Sequence, residues 1–267
     1  MTSTSAPPGR PRAAIAERTL RTDRWWLAPL LTFAGLSAWV VYATVRVFMQ
    51  TDYWVPAYNY LTPFYSPCVS LGCVPEAAHF GRFLPDHPLI PYAALSLPFL
   101  LLFRLTCYYY RRAYYRSFWL SPPACAVPDG HGKYSGETRF PLIFQNAHRW
   151  TFYLAFVISA INTWDAVLAM WNDQGSFALG LGNVILWANV VLLWCYTLGC
   201  HSCRHIMGGR MRHFSKHPIR YRLWTFSSKL NTRHMLFAWL TLASLALTDF
   251  YVMSLAAGWF HDIRFIN

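Results

Sequence analysis

The sequence predicts an all-α integral membrane protein with five transmembrane helices. Hydrophobic residues make up 55% of the 267-residue chain and charged residues only 13%, whereas a soluble domain carries roughly 25% charged residues. Aromatic residues reach 18%, which is more ring surface than a soluble fold of this size can bury. Bilayer interfaces favour Trp and Tyr, so a membrane accounts for this composition. The basic residues that give the net charge of +12 lie between the apolar stretches, and we therefore expect no nucleic-acid partner.

Five apolar stretches each approach the roughly 20 residues that a helix needs to cross the hydrocarbon core. They are residues 25–49, 88–110, 144–171, 176–203 and 234–260. Residues 1–24 are predicted to form a basic cytoplasmic tail, and residues 25–267 a single five-helix membrane domain. Arg46 and Arg104, near the ends of the first two stretches, are expected to extend their charged groups to the membrane interface.

Charged residues predict the orientation of the chain. Basic residues dominate the N-terminal tail, the connection after the second stretch and the segment 201–233. That last segment holds no acidic residue and the basic residues Arg204, Arg210, Arg212, Lys216, Arg220, Arg222, Lys229 and Arg233. The positive-inside rule then places the N-terminus in the cytoplasm and the C-terminus outside the cytoplasmic (inner) cell membrane. The basic loops either serve topology alone or also bind an acidic cytoplasmic partner or anionic membrane lipids.

Two cysteines, Cys68 and Cys73, lie in the predicted outer loop between the first two stretches. Paired cysteines outside the cytoplasmic membrane usually oxidise, so we expect a disulfide that closes a short loop. A metal site that adds His79 to the two cysteines is the competing interpretation.

The strongest chemical signal is the segment GCHSC at the inner end of the fourth stretch. Cys200 and Cys203 have the C-x-x-C spacing that lets two thiolates bind one metal. His148 lies near the start of the third stretch and His234 opens the fifth, both on the cytoplasmic side. Three helices therefore bring two cysteines and two histidines to one depth, which predicts a metal site with these four ligands.

Several groups suit such a ligand set. A zinc ion accepts two cysteines and two histidines, and a Rieske-type [2Fe–2S] cluster binds two cysteines on one iron and two histidines on the other. The redox cluster fits better beside an aromatic membrane interior. Haem b, held by two histidines, is a further alternative that leaves the cysteines unexplained. His201 and His205 are either cations at a helix C-terminus or ligands in place of His148 or His234.

The five-helix layout, the basic cytoplasmic face and the GCHSC segment resemble the membrane anchor of mycobacterial-type, actinobacterial succinate dehydrogenases. The resemblance implies a subunit of respiratory complex II, an enzyme of the tricarboxylic acid cycle, that is not catalytic alone. It implies a flavoprotein and an iron–sulfur subunit on the cytoplasmic face, in a complex that can form a higher oligomer. It also implies a Rieske-type [2Fe–2S] cluster and electron transfer to menaquinone. A haem-b-containing, quinone-reactive membrane subunit of another respiratory oxidoreductase is the alternative.

Menaquinone needs an aromatic-lined pocket with a few polar groups. The candidates near the predicted cluster are Arg149, Trp150, Tyr153 and Tyr196.

Two acidic residues, Asp165 and Asp249, fall within predicted spans. An intramembrane carboxyl costs at least about 2.5 kcal/mol on insertion and is a functional candidate. The two residues are interpreted either as a proton path to reduced quinone or as protonated acids that form hydrogen bonds to neighbouring asparagines.

Overall fold

The computed structural model describes residues 19, 21–66, 71–72, 74, 85, 87, 90–130, 138–140 and 142–266. These residues are mostly helical and include two short antiparallel two-stranded ribbons. The helices are α1 (Leu27–Met49), α2 (Ala93–Thr106), α3 (Tyr108–Ser117), α4 (His148–Leu168), α5 (Leu181–Leu198), α6 (His201–Gly208), α7 (Pro218–Asn231) and α8 (His234–Ala256). The strands are β1 (Trp54–Val55), β2 (Tyr60–Leu61), β3 (Leu179–Gly180) and β4 (Arg264–Ile266), and 3-10 turns span Pro56–Tyr58 and Leu142–Ala147.

Among the described residues, four helical segments are long and apolar enough to cross a membrane. They are Leu27–Met49, Leu142–Leu168, Leu181–Leu198 and His234–Ala256, and they correspond to the first, third, fourth and fifth predicted stretches. The third begins with the 3-10 turn that leads directly into α4. The helical membrane architecture therefore agrees with the predicted class.

The second predicted stretch differs from a single spanning helix. Helix α2 has only 14 residues and contains Pro98. It ends at Cys107, whose backbone is extended with φ −68° and ψ 132°, and α3 begins at once in a new direction. The stretch 88–110 was predicted from apolar composition, but the run of tyrosines and arginines after Cys107 forms a separate amphipathic helix.

The fourth stretch also ends earlier than predicted. Helix α5 stops at Leu198, and Cys200 is extended with φ −67° and ψ 146° before α6 begins at His201. The expected helix through residue 203 is therefore wrong, because the chain turns at Gly199 and Cys200.

Helices α5 and α8 form the centre of the bundle, and α4 packs against both α5 and α2. Helix α1 is peripheral, since only 6% of its most apolar stretch is buried. It is attached through Trp39, whose indole nitrogen donates to the Leu242 carbonyl at 3.0 Å, and through Arg46. Arg46 is 2% exposed and does not reach the interface as expected, because its Nε donates to Asp249 Oδ2 at 2.7 Å.

At the opposite end of the bundle from the Cys200 turn, β4 pairs with β3 and carries Asp262 to the start of α5. One Asp262 oxygen accepts hydrogen bonds from the Gly182 backbone N–H at 3.0 Å and from the Tyr251 hydroxyl at 2.6 Å. The other accepts from the Tyr60 hydroxyl at 2.8 Å. This network joins the segment after α1 to α5 and α8. The predicted disulfide of Cys68 and Cys73, and nearly all of the N-terminal tail, lie outside the described residues.

Candidate metal centre and adjoining cavity

Two cysteine–histidine pairs lie in the core where α2, α4, α5 and α8 meet. The Sγ atom of Cys200 lies 2.9 Å from His148 Nε2. The Sγ atom of Cys107 lies 3.7 Å from His234 Nε2. Cys107 and Cys200 are 2% and 1% exposed and belong to one hydrophobic cluster. Two thiols and two imidazoles from four elements therefore converge in one buried region.

Aromatic rings join the two pairs. Phe103 stacks on His148 with ring centroids 4.9 Å apart, and Tyr196 stacks on His234 at 4.8 Å. Phe103 and Tyr196 themselves meet edge to face at 5.5 Å. A parallel ring therefore packs against the face of each imidazole and restricts its rotation.

The hydrogen bonds of His148 leave one nitrogen available as a ligand. The Thr106 hydroxyl donates to the Leu102 carbonyl at 2.6 Å, so its oxygen accepts from His148 Nδ1 at 2.9 Å. A proton on Nδ1 leaves the lone pair on Nε2, which faces Cys200. A polar group that orients a histidine through its second nitrogen is typical of metal sites.

The turn at Gly199 positions Cys200. A Cβ at residue 199 would lie 2.7 Å from the Cys195 carbonyl and 3.3 Å from His234 Nδ1, so only glycine permits this approach. The Asn231 side chain donates to the Gly199 carbonyl at 2.7 Å and secures the turn from α7. Burial raises the pKa of the Cys200 thiol to about 12, so the thiol is neutral at physiological pH, and a metal bound there would have to displace its proton.

A cavity of about 310 Å³ opens between α1, α2 and α4. Its walls are almost entirely apolar, including Trp39, Val47, Phe64 and Leu97. Its polar groups are Thr44 on α1, Arg104 on α2, and Ser159 and Asn162 on α4.

Arg104 connects this cavity to the cysteine–histidine centre. It is 7% exposed, so the expectation that it extends to the interface is wrong. Its guanidinium donates to the Tyr110 hydroxyl and to Thr241 Oγ1 at 3.1 Å, and lies 5.1 Å from the centroid of the Tyr196 ring. None of the ion pairs within the described part of the chain includes Arg104. A buried cation without a carboxylate partner is suited to a ligand with electron-rich oxygens.

The two intramembrane acids have different surroundings. Asp249 is 0% exposed, pairs with Arg46 and also accepts from the Tyr42 hydroxyl at 2.6 Å. Asp165 is 7% exposed and accepts a hydrogen bond from Ser66 through Oδ2. Its Oδ1 is buried and has no hydrogen-bond partner among the described residues.

Residues 27–258 match the sequence model of the family described as actinobacterial succinate dehydrogenase subunit SdhC. The chain belongs to this family. A solved chain of the Mycobacterium smegmatis Sdh1 complex in the apo form is 64% identical, with a TM-score of 0.88, and the match covers 97% of this chain and 98% of that one. A comparison with curated proteins gives no match. The protein is thus a membrane subunit of a succinate dehydrogenase complex, and the predicted family is confirmed.

The iron–sulfur cluster implied by this family can be tested against the residues present. Within the described part of the chain, no three His, Cys, Asp or Glu side chains are arranged to hold a single metal ion. A [2Fe–2S] cluster has two irons, however, and two thiols with two imidazoles are the Rieske donor set. His234 Nδ1 is buried without a hydrogen-bond partner there, which is rare for a polar atom that the chain alone must satisfy. The donor set therefore fits the cluster.

The four side chains that converge here differ in a single residue from the four that the sequence predicts as ligands. Cys203 lies on α6 beyond the turn, where its Sγ contacts Met207 Sδ at 3.9 Å, and no described hydrogen bond joins it to either imidazole. Cys107 occupies the place that the C-x-x-C interpretation gave to Cys203. His201 and His205 are exposed on α6. The sequence does contain a signal for Cys107, since it lies near the inner end of the second predicted stretch, at the depth of the other predicted ligands.

The residues predicted to bind quinone do not form one site. Arg149 is exposed, and Trp150 and Tyr153 are 72% and 44% exposed on the outer surface of α4. Tyr196 is 2% exposed and belongs to the cysteine–histidine centre. The sequence does not indicate Arg104 or the cavity as a site, because the apolar stretch 88–110 predicts one spanning helix whose arginine extends to water.

Proposed function

We propose that the chain is the non-catalytic anchor of the succinate dehydrogenase complex in the cytoplasmic cell membrane, and that it crosses this membrane five times. Four crossings are the long apolar helices, and the fifth combines α2 with the residues before it. The N-terminus is cytoplasmic and the C-terminus is outside. The charge pattern supports this orientation, since α6, α7 and the chain between them carry no acidic residue.

The same basic face binds the iron–sulfur subunit of the complex, with the flavoprotein subunit beyond it. The similar chain from Mycobacterium smegmatis is part of a complex, which supports partner subunits for this chain as well. Hydrogen bonds hold α7 against α6 in this face. Arg220 on α7 donates to the carbonyls of Met207 and Gly209 at 3.1 and 2.9 Å. The anchor then passes electrons from its iron–sulfur partner to menaquinone in the membrane.

Cys107, His148, Cys200 and His234 would hold a Rieske-type [2Fe–2S] cluster. The observation that carries this assignment is the convergence of two buried thiols and two ring-stacked imidazoles from four elements. When bound, such a cluster supplies a one-electron carrier at the end of the bundle that bears the basic face. The haem b alternative has less support, because two histidines alone would bind it and both buried thiols would have no role.

The menaquinone ring would bind in the cavity beside Arg104. A volume of about 310 Å³ is within the usual range of roughly 300–1,000 Å³ for small-molecule sites, and apolar walls with a few polar groups are typical. The Arg104 guanidinium would donate to a ring carbonyl, and it already contacts Tyr196, which stacks on His234. The exposed face of Trp150 and Tyr153 is the alternative site on this chain.

The ligand assignment is tested by iron analysis and low-temperature electron paramagnetic resonance of the purified complex. Cys107→Ser, Cys200→Ser, His148→Ala and His234→Ala should each remove the Rieske-type signal and about two irons per complex. Cys203→Ser is the matched control, because it replaces a buried thiol of the same cluster of side chains, and it should retain both. If Cys203→Ser loses the signal and Cys107→Ser keeps it, the ligands are instead the C-x-x-C pair Cys200 and Cys203.

The quinone assignment is tested by steady-state kinetics with a naphthoquinone that carries one isoprenyl unit. Arg104→Gln should raise the KM for this quinone at least tenfold and leave the resonance signal in place. Trp150→Ala should change the KM less than twofold. The reverse pattern would assign the quinone to the exposed face of α4.

A further inference from the structure

Of the two carboxyl groups buried within the spanning helices, only Asp165 is free to exchange a proton. Asp249 is fixed by the Arg46 guanidinium and the Tyr42 hydroxyl. Asp165 has no described cation beside it, and Ser66 is its only described hydrogen-bond partner. An ionised carboxylate without a cation is unfavourable at such a buried position, so the pocket around Asp165 accommodates the protonated acid. Its unpartnered Oδ1 can then carry a proton that no described neighbour holds.

Asp165 also lies between the cavity and the end of the bundle that faces away from the metal centre. It is about 25 Å from His148 along the axis of α4, at 1.5 Å per residue. Ser159 and Asn162 line the cavity on the two preceding turns of the same helix. Ser66, which is 2% exposed, approaches Asp165 from the segment that follows β2. One helical turn therefore separates the carboxyl from the polar wall of the cavity.

We propose that Asp165 delivers protons from the outer aqueous phase to the quinone in this cavity, an inference that rests on the proposed function. Reduction of the quinone to the quinol consumes two electrons and two protons. The iron–sulfur partner supplies the electrons from succinate. For each proton, the O–H bond of the Asp165 carboxyl breaks and an O–H bond forms on the reduced quinone. A water molecule beside Asn162, or a rotation of the Asp165 carboxyl, carries the proton over the one helical turn between Asp165 and the cavity. The carboxylate is then reprotonated from outside, past Ser66.

This arrangement gives the reaction a direction across the membrane. Electrons enter from the basic cytoplasmic face, and protons enter from the opposite side. Both movements carry positive charge inward, so turnover dissipates the proton gradient rather than builds it. A quinone site that took its protons from the cytoplasm would leave the gradient unchanged.

The experiment uses the whole complex, reconstituted into sealed phosphatidylethanolamine–phosphatidylglycerol vesicles with a trapped pH-sensitive dye. Added succinate reaches only complexes whose catalytic subunits face the medium, so the vesicle lumen corresponds to the outer side. Valinomycin with potassium prevents an opposing potential. With the singly prenylated naphthoquinone as acceptor, we expect the wild-type lumen to lose about two protons per quinol formed, until a protonophore is added.

Asp165→Asn should abolish the lumen signal and slow naphthoquinone reduction at least tenfold, while succinate still reduces a soluble dye at the wild-type rate. Asp165→Glu should retain both signals. Asp173→Asn is the matched control, since it neutralises an exposed carboxylate near the same end of α4, and it should behave as wild type.

A wild-type complex that reduces the naphthoquinone without a change in lumen pH would overturn the inference and leave the proposed function standing. An undiminished lumen signal in Asp165→Asn would do the same. A wild-type complex that reduces no naphthoquinone would remove the proposed function and the inference with it. The wild-type measurement decides the side of proton uptake even if the Asp165→Asn complex does not assemble.

Discussion

The buried ion pair between Arg46 and Asp249 makes a quantitative prediction about how the first helix is held. Arg46 and Asp249 are 2% and 0% exposed, and two of the three guanidinium nitrogens face the carboxylate at 2.7 and 3.4 Å. Arg46 also donates to the backbone carbonyls of Thr51 and Asp52 at 3.3 and 3.1 Å. The pair thus ties α1, the turn after it and α8 together.

Removal of one partner leaves a buried charge without compensation, which costs about 3–5 kcal/mol. Asp249→Leu should therefore lower the free energy of unfolding by this amount, because a guanidinium cannot lose its proton. Arg46→Met should cost less, since the remaining carboxyl can take up a proton and keep its bond to Tyr42. The double variant Arg46→Met/Asp249→Leu should recover at least about 2 kcal/mol of the summed losses, because buried pairs can be replaced by apolar residues at little cost.

The assay is thermal unfolding of the detergent-purified complex, followed by near-ultraviolet circular dichroism and by α1 accessibility to protease. On the scale for domains of this size, each kcal/mol shifts the Tm by about 2–4 °C. Asp249→Leu should then lower the Tm by roughly 6–20 °C, and the double variant by less than Asp249→Leu alone. If the two single losses simply add in the double variant, the two side chains are not coupled and burial does not strengthen their interaction.

Two further predictions concern packing and thiol reactivity. Gly182→Ala should lower the free energy of unfolding by about 1–3 kcal/mol through overpacking, because its Cβ would lie 2.2 Å from the buried Tyr60 ring. The control is Gly35→Ala, whose Cβ would have nothing within 4 Å, and it should be neutral or stabilising in the same unfolding assay. In the metal-free complex at pH 8, iodoacetamide should modify Cys200 at least tenfold more slowly than exposed Cys125, as measured by mass spectrometry, because burial raises the Cys200 pKa to about 12. Equal rates would show that Cys200 is open to solvent.

Composition and the length of the apolar runs were sufficient for the helices that cross in one piece. An apolar run of about 20 residues has few alternatives in a membrane, so α1, α4 and α8 could be predicted to within a few residues, and α5 could be predicted as a spanning helix although not at its ends. The two failures share a cause. At Cys107 and at Cys200 a single residue with extended backbone redirects the chain, and neither hydropathy nor charge reports such a turn. Gly199 was the one local hint, since glycine often ends a helix.

The proposed metal centre shows the same limit. Of the four side chains that converge in the core, the sequence brings His148, Cys200 and His234 together, because topology places span ends at a common depth. The C-x-x-C spacing is a strong sequence pattern that favours Cys203, whereas Cys107 stands alone in the sequence and belongs to no motif. The pairing in space depends on the turn that separates Cys200 from α6, and this turn also moves Cys203 away. A motif that straddles a helix end is therefore weaker support for a site than residues that share a depth on different helices.

The proposed orientation predicts that the two ends of α4 are labelled from opposite sides of the membrane. Cys125 is exposed in the connection before α4, and Gln174 is exposed in the turn after it. An impermeant maleimide added to intact cells should modify Gln174→Cys in a Cys125→Ser background and should leave Cys125 unmodified. Inverted membrane vesicles should give the reverse pattern, because the basic connections then face the reagent. Labelling of Cys125 in intact cells would invert the chain and move the basic face outside. The iron–sulfur partner would then be unable to dock beside the cysteine–histidine centre, and Asp165 would face the cytoplasm. Labelling of both positions from one side would mean that α4 does not cross the membrane.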